Sequence, residues 1–513
     1  MITKLNTATT LGLNAQLIEV EVDLSPALPA IIVVGLPDKA VQESKERVRS
    51  SIKQSGFEFP LGKITINLAP ADITKAGSGF DLPMALGILH VSGFLEKPLP
   101  QKALFIGELS LDGSLRPVNG VLSICLWAKK NGFDEVFIPQ ANAQEASLVS
   151  GLTIYGAKNI LEITNHLKSI LMIQPAKTFD YQGKLDEFEL PTDGLYPNDM
   201  AYIKGQSVAK RALEVAASGG HNVLFIGTPG SGKTLLARSY PTILPKMTER
   251  EILEATQIYS VAGMLRDGEI ITKRPFRSPH HTSSHISLVG GGSKIRPGEI
   301  SLAHRGVLFL DEFPEFSRET IEVLRQPLED GFVTISRAMG TLTFPSKFSL
   351  LAAANPTPSG FEAHDIQSLN KPQNKAAISR YQAKFSGPIL DRIDIQVEVN
   401  RPEKTDIQSE TLSEKSIDIA SRVQKARDIQ TNRFTSEAIS TNSEMTLPMV
   451  QIYCKLDQIS KKLLDTAIDK YQLSARSYIR ILKLSRTIAD LEGAPDIQTQ
   501  HLAESLQYRG KWG

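Results

Sequence analysis

The sequence predicts an α/β protein built around a nucleotide-binding parallel sheet, and three observations carry that expectation. Between about 200 and 400, apolar strand-like runs alternate with helical ones, as in a sheet assembled from β-α-β units. The apolar run "NVLFI" leads into "GTPGSGKT" at 227–234, which has the Gly-x-x-x-x-Gly-Lys-Thr spacing of a phosphate-cradling loop. A second apolar strand, "GVLFLDE" at 306–312, ends in two carboxylates.

Taken in chain order, residues 1–172 mix strand-like and helical runs and form a first domain. "PAIIVVGLP" (29–37) and "KITINLAP" (63–70) are β-branched and bounded by proline, as strands often are. "DKAVQESKERVRSSIKQSG" (38–56) opens on Asp38 as N-cap, spaces Ala40, Val41, Val48 and Ile52 among charges, and stops at Gly56; it reads as an amphipathic helix. The polar stretch 174–194 has Pro, Gly and charge without a period, so 173–197 reads as a linker. The nucleotide-binding core then runs over 198–402. After the polar segment 400–416, helical periodicity continues to the end, giving a helical domain at 403–513.

Composition narrows the function classes. Lys plus Arg number 57 against 56 Asp plus Glu, a formal charge of +1, so any nucleic-acid surface has to be local. Cys125 and Cys454 stand too far apart to form a metal knuckle, and a reducing compartment is the simple reading. The N-terminal stretch has no continuous apolar segment of the signal-peptide kind, and no run of eighteen apolar residues occurs. A cytoplasmic protein with no membrane partner is expected.

The chemistry of the loop follows from its residue types. Gly227, Thr228, Pro229, Gly230, Ser231 and Gly232 let backbone N–H groups converge on phosphates. Lys233 reaches the β and γ oxygens, and Thr234 can ligate Mg²⁺. Asp311 would hold Mg²⁺ directly or through water, while Glu312 would polarise the attacking water. A chance glycine-rich turn is the bland alternative, and the matching acidic strand argues against it. Lys233 and Asp311 lie too far apart for a bare β-α-β-α unit, so a segment is inserted between them.

At this point a resemblance becomes specific. "GQSVAKRALEVAASGGHNVLFIGTPGSGKTLLAR", "RPFRSPHHTSSHISLVGGGSKIRPGEISLAHRGVLFLDEFPEF" and "LSARSYIRILKLSRTIADLEG" resemble the ComM/YifB branch of magnesium-chelatase-like AAA+ ATPases. "GLPDKAVQESKERVRSSI" and "ITINLAPADITKAGSGFDLPMALGIL" extend it over nearly the whole chain. The resemblance implies an α/β AAA+ P-loop NTPase core with ATP and Mg²⁺ as cofactors, a Lon-protease-like N-terminal α+β domain and a C-terminal helical lid. It implies that Gly205 and Gln206 lie beside the adenine, and that Asn355 is the sensor 1 residue orienting the hydrolytic water. By the same match Arg392 is the arginine presented to a neighbour's γ-phosphate, and Arg476 is the sensor 2 arginine of the lid. Phosphoryl transfer needs positive charge on the equatorial oxygens, which suits both arginines. Pattern alone leaves Arg392 equally open to pairing with Asp391 or Asp394, and Arg476 to being a helix-surface charge. The sequence departs from many relatives at 355–360, where "NPTPSG" has no cysteine, so no structural zinc is expected there. His280, His281 and His285 lack a carboxylate or thiolate partner nearby in sequence, and a contact or conformational role is expected for them.

"GELSLDGSLRPVNGVLSI" (107–124) resembles the Lon-type protease domain, whose chemistry needs a Ser–Lys pair. The serine position falls on Gly79 and the lysine position on Leu122, with Ser78 and Lys75 as out-of-register substitutes, so a non-proteolytic domain is expected. Three functions follow from the resemblance: a branch-migration DNA motor serving homologous recombination in natural transformation, a chelatase-type metal-insertion motor, or a Lon-like protease or unfoldase. The N-terminal domain disfavours the second and the missing dyad disfavours the third. The expected assembly is a ring, most simply a hexamer, acting on single-stranded and branched DNA. Its DNA contacts are sought on two insertions. One is 277–300, with Arg277, His280, His281, Lys294 and Arg296; the other is a hairpin at 332–344 with Arg337 near its tip.

Overall fold

The structure is a computed structural model that describes residues 2–72, 75, 77–181, 195–266, 268–292, 295–337, 340–356, 387–437, 439–471 and 473–509. Its N-terminal part is a seven-stranded mixed sheet. The spatial order is Ala30–Val34, Lys63–Ala69, Asn14–Ser25, Ile2–Leu11, Ala103–Phe105, Glu135–Pro139, Thr153–Ala157. In Lys63–Ala69 strict alternation sends Ile64, Ile66 and Leu68 inward. The helix Lys39–Gln54 packs beside the sheet through Val41, Val48 and Ile52, and its N-cap Asp38 accepts the Val41 N–H at 2.9 Å. Within the stretch read as linker, Phe179 and Tyr181 lie on this domain, with the Tyr181 hydroxyl donating to the Leu148 carbonyl at 3.1 Å.

The second sheet has five strands in the order Phe276–Arg277, Val307–Leu310, Ser349–Ala354, Val223–Ile226, Ile395–Glu398, every pairing parallel. Its inner strands are buried along their length, which requires cover on both faces. One face (Phe225, Phe309, Leu351, Ala353) meets the helix Ser207–Gly219 together with Ile419, Leu484 and Ile488 of the C-terminal helices. The other (Leu224, Leu308, Leu350, Ala352) meets Leu288 and Ile300 of the first insertion and Val333, Ile335 and Phe344 of the hairpin Phe332–Pro345. The insertions thus seal the sheet with their apolar residues.

Among the described residues, five longer helices make the C-terminal domain after the short helix Lys404–Gln408: Ser416–Arg433, Leu447–Tyr453, Gln458–Tyr471, Ala475–Leu491 and Thr499–Gln507. Arg427 ties it to the core by donating to the Ala217 and Ser218 carbonyls at 2.8 and 3.1 Å. A further seam joins core and N-terminal domain. The helix Glu249–Ala262 puts Ile252 and Ala255 into one cluster with Leu122, Ile124 and Cys125, and Gln257 donates to the Leu13 carbonyl and to Ser123 Oγ. No helix among the described residues is long and apolar enough to cross a membrane.

Candidate nucleotide-hydrolysis site

All five core strands run the same way, so their carboxyl ends share one edge of the sheet, where ligands of open α/β sheets bind. That edge brings together the loop after Ile226, Asp311 and Glu312 after Leu310, and Asn355 after Ala354. Gly230 and Gly232 take φ of +78° and +98°, which turns the loop so its amides can face inward; a side chain would strain either position. Gly227 has a different reason, since a Cβ there would strike the Val399 carbonyl. Lys233 opens the helix Lys233–Ser239, and its ammonium donates to the carbonyls of Gly227 (2.6 Å) and Thr228 (2.9 Å) and to Asn355 Oδ1 (3.2 Å). Burial lowers the Lys233 pKa while Asp311 acts against that shift. Thr234 Oγ1 donates to Asp311 Oδ2 at 2.8 Å, so the two oxygens that suit Mg²⁺ already sit side by side.

Gly205 and Gln206 are both left-handed, and the Gln206 amide donates to the Ser231 and Asn400 carbonyls, binding the segment to the phosphate loop. Glu312 is also left-handed (φ +50°), which turns its carboxylate away from the strand; His281 Nδ1 lies 3.2 Å from its Oε2. That contact is not legible in sequence beyond a hint. The strand Phe276–Arg277 pairs in parallel with Val307–Leu310, so the segments that leave their carboxyl ends must share an edge. The His280 and His281 rings lie 4.1 Å apart, but the three histidines do not meet at one point. His280 bonds Thr282 at 2.9 Å and His285 lies 3.5 Å from Glu319, and no metal-holding group occurs among the described residues. Of the "NPTPSG" segment, 357–360 lie outside the described residues.

Arg392 and Arg476 are not in this cluster. Arg392 precedes Ile395, which is level with Val223 at the start of its strand, whereas the phosphate loop begins past Ile226. A four-residue strand spans about 13 Å, and the arginine lies beyond its far end. There Arg392 pairs with Glu329, and Arg476 Nη2 lies 2.9 Å from the other oxygen of that same carboxylate. Asp394 pairs with Arg480 at 2.7 Å. Among the DNA-contact candidates, Arg277 is tied to Glu299 at 2.6 and 2.7 Å and Arg296 is exposed. Arg337 ends the first hairpin strand, and Lys294 lies outside the described residues.

In the N-terminal domain, Ser78 Oγ bonds Glu108 and Lys75 Nζ bonds the Pro70 carbonyl, while Leu122 is fully buried. A Cβ at Gly79 would lie 3.3 Å from Val118 Cγ1.

Fold and site together define a P-loop ATPase of the AAA+ class. Set beside known proteins, the chain matches the families described as "Magnesium chelatase, subunit ChlI" over 199–407, "Subunit ChlI of Mg-chelatase" over 20–142 and "Magnesium chelatase, subunit ChlI C-terminal" over 413–509. It is 42% identical over 500 residues to Competence protein ComM of Haemophilus influenzae, covering 97% of this chain and 96% of that one. It is 39% identical over 509 residues to YifB of Escherichia coli, covering 98% and 96%. A more distant match, 24% over 381 residues, covers 70% of this chain and 40% of the zygotic DNA replication licensing factor mcm3 of Xenopus laevis. The chain belongs to the ComM/YifB family of magnesium-chelatase-like AAA+ ATPases. Membership implies the use of ATP and Mg²⁺, and the cradle around Lys233, Thr234 and Asp311 suits both.

Proposed function

We propose that this protein is an ATP-driven, ring-forming DNA motor of branch-migration type, acting in homologous recombination during natural transformation. The observation that carries the ring is the separation of Arg392 and Arg476 from their own phosphate loop by the depth of the sheet. Arginines that cannot reach the phosphate of their own copy are free to serve a neighbour's, their pairing with Glu329 notwithstanding. The cargo is argued from relatives, one named a competence protein and another a DNA replication licensing factor. The polar tethers on Ser78 and Lys75 support a non-proteolytic N-terminal domain.

In this mechanism the loop amides and Lys233 bind the β and γ phosphates. Thr234 and Asp311 would hold Mg²⁺, which when bound neutralises phosphate charge. Asn355 orients the attacking water and Glu312 accepts its proton, so the carboxylate has to leave His281 or turn upon it. Arg392 and Arg476 of an adjacent copy supply charge to the equatorial oxygens. The two insertions offer DNA their candidates His280, Lys294, Arg296 and Arg337, whereas Arg277 is held by Glu299 and His281 by Glu312.

ATP hydrolysis measured with and without a branched DNA junction, alongside electron-microscopy class averages in nucleotide, tests the reading. Closed rings and DNA-stimulated turnover are expected. Turnover indifferent to DNA, or particles that stay single with nucleotide and junction present, would overturn it.

A further inference from the structure

The two arginines at the far edge share one carboxylate, and the position of that carboxylate in the chain gives the contact its meaning. Glu329 stands in the helix Arg325–Asp330, immediately before the hairpin Phe332–Pro345. Helix and hairpin form one unit. The Gly331 N–H donates to the Pro327 carbonyl at 3.0 Å, the Ser346 N–H donates to Gly331 at 2.8 Å, and Leu328 packs in the cluster of Val333 and Ile335. The unit's other side touches the N-terminal domain, where Leu342 meets the turn at Gly12. Glu329 is about half exposed, with side-chain accessibility of 46%, and Arg476 is more so at 58%. A partner approaching this edge therefore meets the carboxylate and the Arg476 guanidinium directly, with Arg392 behind them.

We propose that Glu329 is the resting counter-ion of Arg392 and Arg476, displaced when the terminal phosphate held by a neighbouring copy takes its place, and that this exchange frees the helix–hairpin unit 325–345. The proposal rests on the ring reading above and adds to it a specific residue and a route from one copy's nucleotide to the next copy's hairpin. Carboxylate and phosphate are alternative partners for the same planar donor fork, so the exchange needs no new chemistry. The Arg392 contact holds the Glu329 carboxyl below the usual carboxylate range against the opposing effect of burial, helped by the charges of Arg392, Arg476 and Arg480. It is therefore an anion at working pH. Freed of the arginines, helix 325–330 keeps its tie to the hairpin through Gly331, so a shift of one moves the other.

The test compares wild type, Glu329→Gln, and Glu329→Gln in an Arg392→Met/Arg476→Met background, by sedimentation velocity with Mg²⁺ and a non-hydrolysable ATP analogue. Glu329→Gln should assemble at a roughly fivefold lower protein concentration than wild type, the size expected for releasing one exposed charge cluster. In the arginine-free background the same substitution should change nothing, whereas a merely structural role for Glu329 would persist there. The hairpin is read separately with an environment-sensitive label on Thr343→Cys, an exposed position, since the native Cys125 and Cys454 are buried. Its signal should change on assembly in wild type and be partly shifted beforehand in Glu329→Gln. Unchanged assembly by Glu329→Gln, an equal shift without the arginines, or a silent label would each overturn the proposal while leaving the ring intact. A wild type that never assembles would remove the ring and this proposal with it.

Discussion

Lys233 and Glu312 do separable jobs, and their substitutions should separate too. Lys233→Ala removes the charge aimed at the phosphates, so nucleotide affinity should fall at least tenfold by titration with a fluorescent analogue. Glu312→Gln keeps shape but loses the proton acceptor, so nucleotide should stay bound while turnover drops about a hundredfold or more. Near-normal hydrolysis by Glu312→Gln would refute its role as base. A second prediction concerns Asp81, buried in the N-terminal domain with Arg47 at 2.8 Å and accepting the Leu109 N–H. Burial pushes the Asp81 carboxyl up to about 6, with Arg47 and the Leu109 amide acting against it. Because the folded value lies above the unfolded one, this group's contribution to stability is full below about 4 and is lost as pH rises through about 6. Arg47→Met would leave the carboxylate unpaired. It should cost about 3 kcal/mol at pH 7.5 and clearly less at pH 5, where Asp81 can take a proton. Equal losses in urea melts at both values would count against the pairing. At this scale the phosphate loop and the acidic strand end were legible because each is contiguous in sequence. Glu329 and the His281–Glu312 contact were not, since each joins segments far apart in the chain with no local pattern to mark them.

Elements behaved according to their periodicity. Alternating β-branched runs became the strands Ala30–Val34 and Lys63–Ala69, and Asp38 caps the helix it was expected to open. The hairpin was legible as a hairpin, but its packing was not. Val333, Ile335 and Phe344 read as ordinary strand residues until the sheet face they cover is known. Under the DNA-motor proposal, what remains for cargo is the outer part of each insertion. Lys294, Arg296 and Arg337 replaced together by Ala should cut DNA-stimulated hydrolysis several-fold and flatten the salt dependence of DNA binding by up to about three units of log–log slope. Basal hydrolysis and the melting temperature should hold, because Arg296 is exposed and none of the three is placed in the hydrolysis site. A variant that binds and moves junctions as well as wild type would move the search to the N-terminal domain.

For the whole molecule, the seam along Glu249–Ala262 means that the core is not autonomous. A fragment starting at 198 would expose Met247, Ile252, Ala255 and Ile270, all buried against the first domain. It should aggregate on expression, whereas the same fragment with Ile252→Lys and Ile270→Lys should stay in solution; a soluble, monodisperse unmodified fragment would contradict this. No composition or charge argument could have located that seam, because the helix pattern says that a face is buried and not what buries it. A ring also predicts complementation. Mixing Arg392→Ala copies with Glu312→Gln copies should restore part of the lost turnover, since some junctions then pair an intact Glu312 with an intact Arg392. No recovery, with mixed rings seen to form, would argue against arginines acting across copies.

The placement of phosphate loop and arginines at opposite edges of one sheet has a genetic consequence. Each working centre would draw half its parts from one gene product and half from the next, so a copy defective in both halves spoils two centres at once. In a cell making equal amounts of normal and doubly defective chain, only about a quarter of centres would be whole in randomly mixed rings. Such alleles should therefore be dominant over wild type when co-expressed. A defect confined to folding, which keeps the chain out of rings altogether, should be recessive. If the protein serves natural transformation as proposed, transformation frequency scored in merodiploid strains would tell the two kinds of allele apart without purifying any protein.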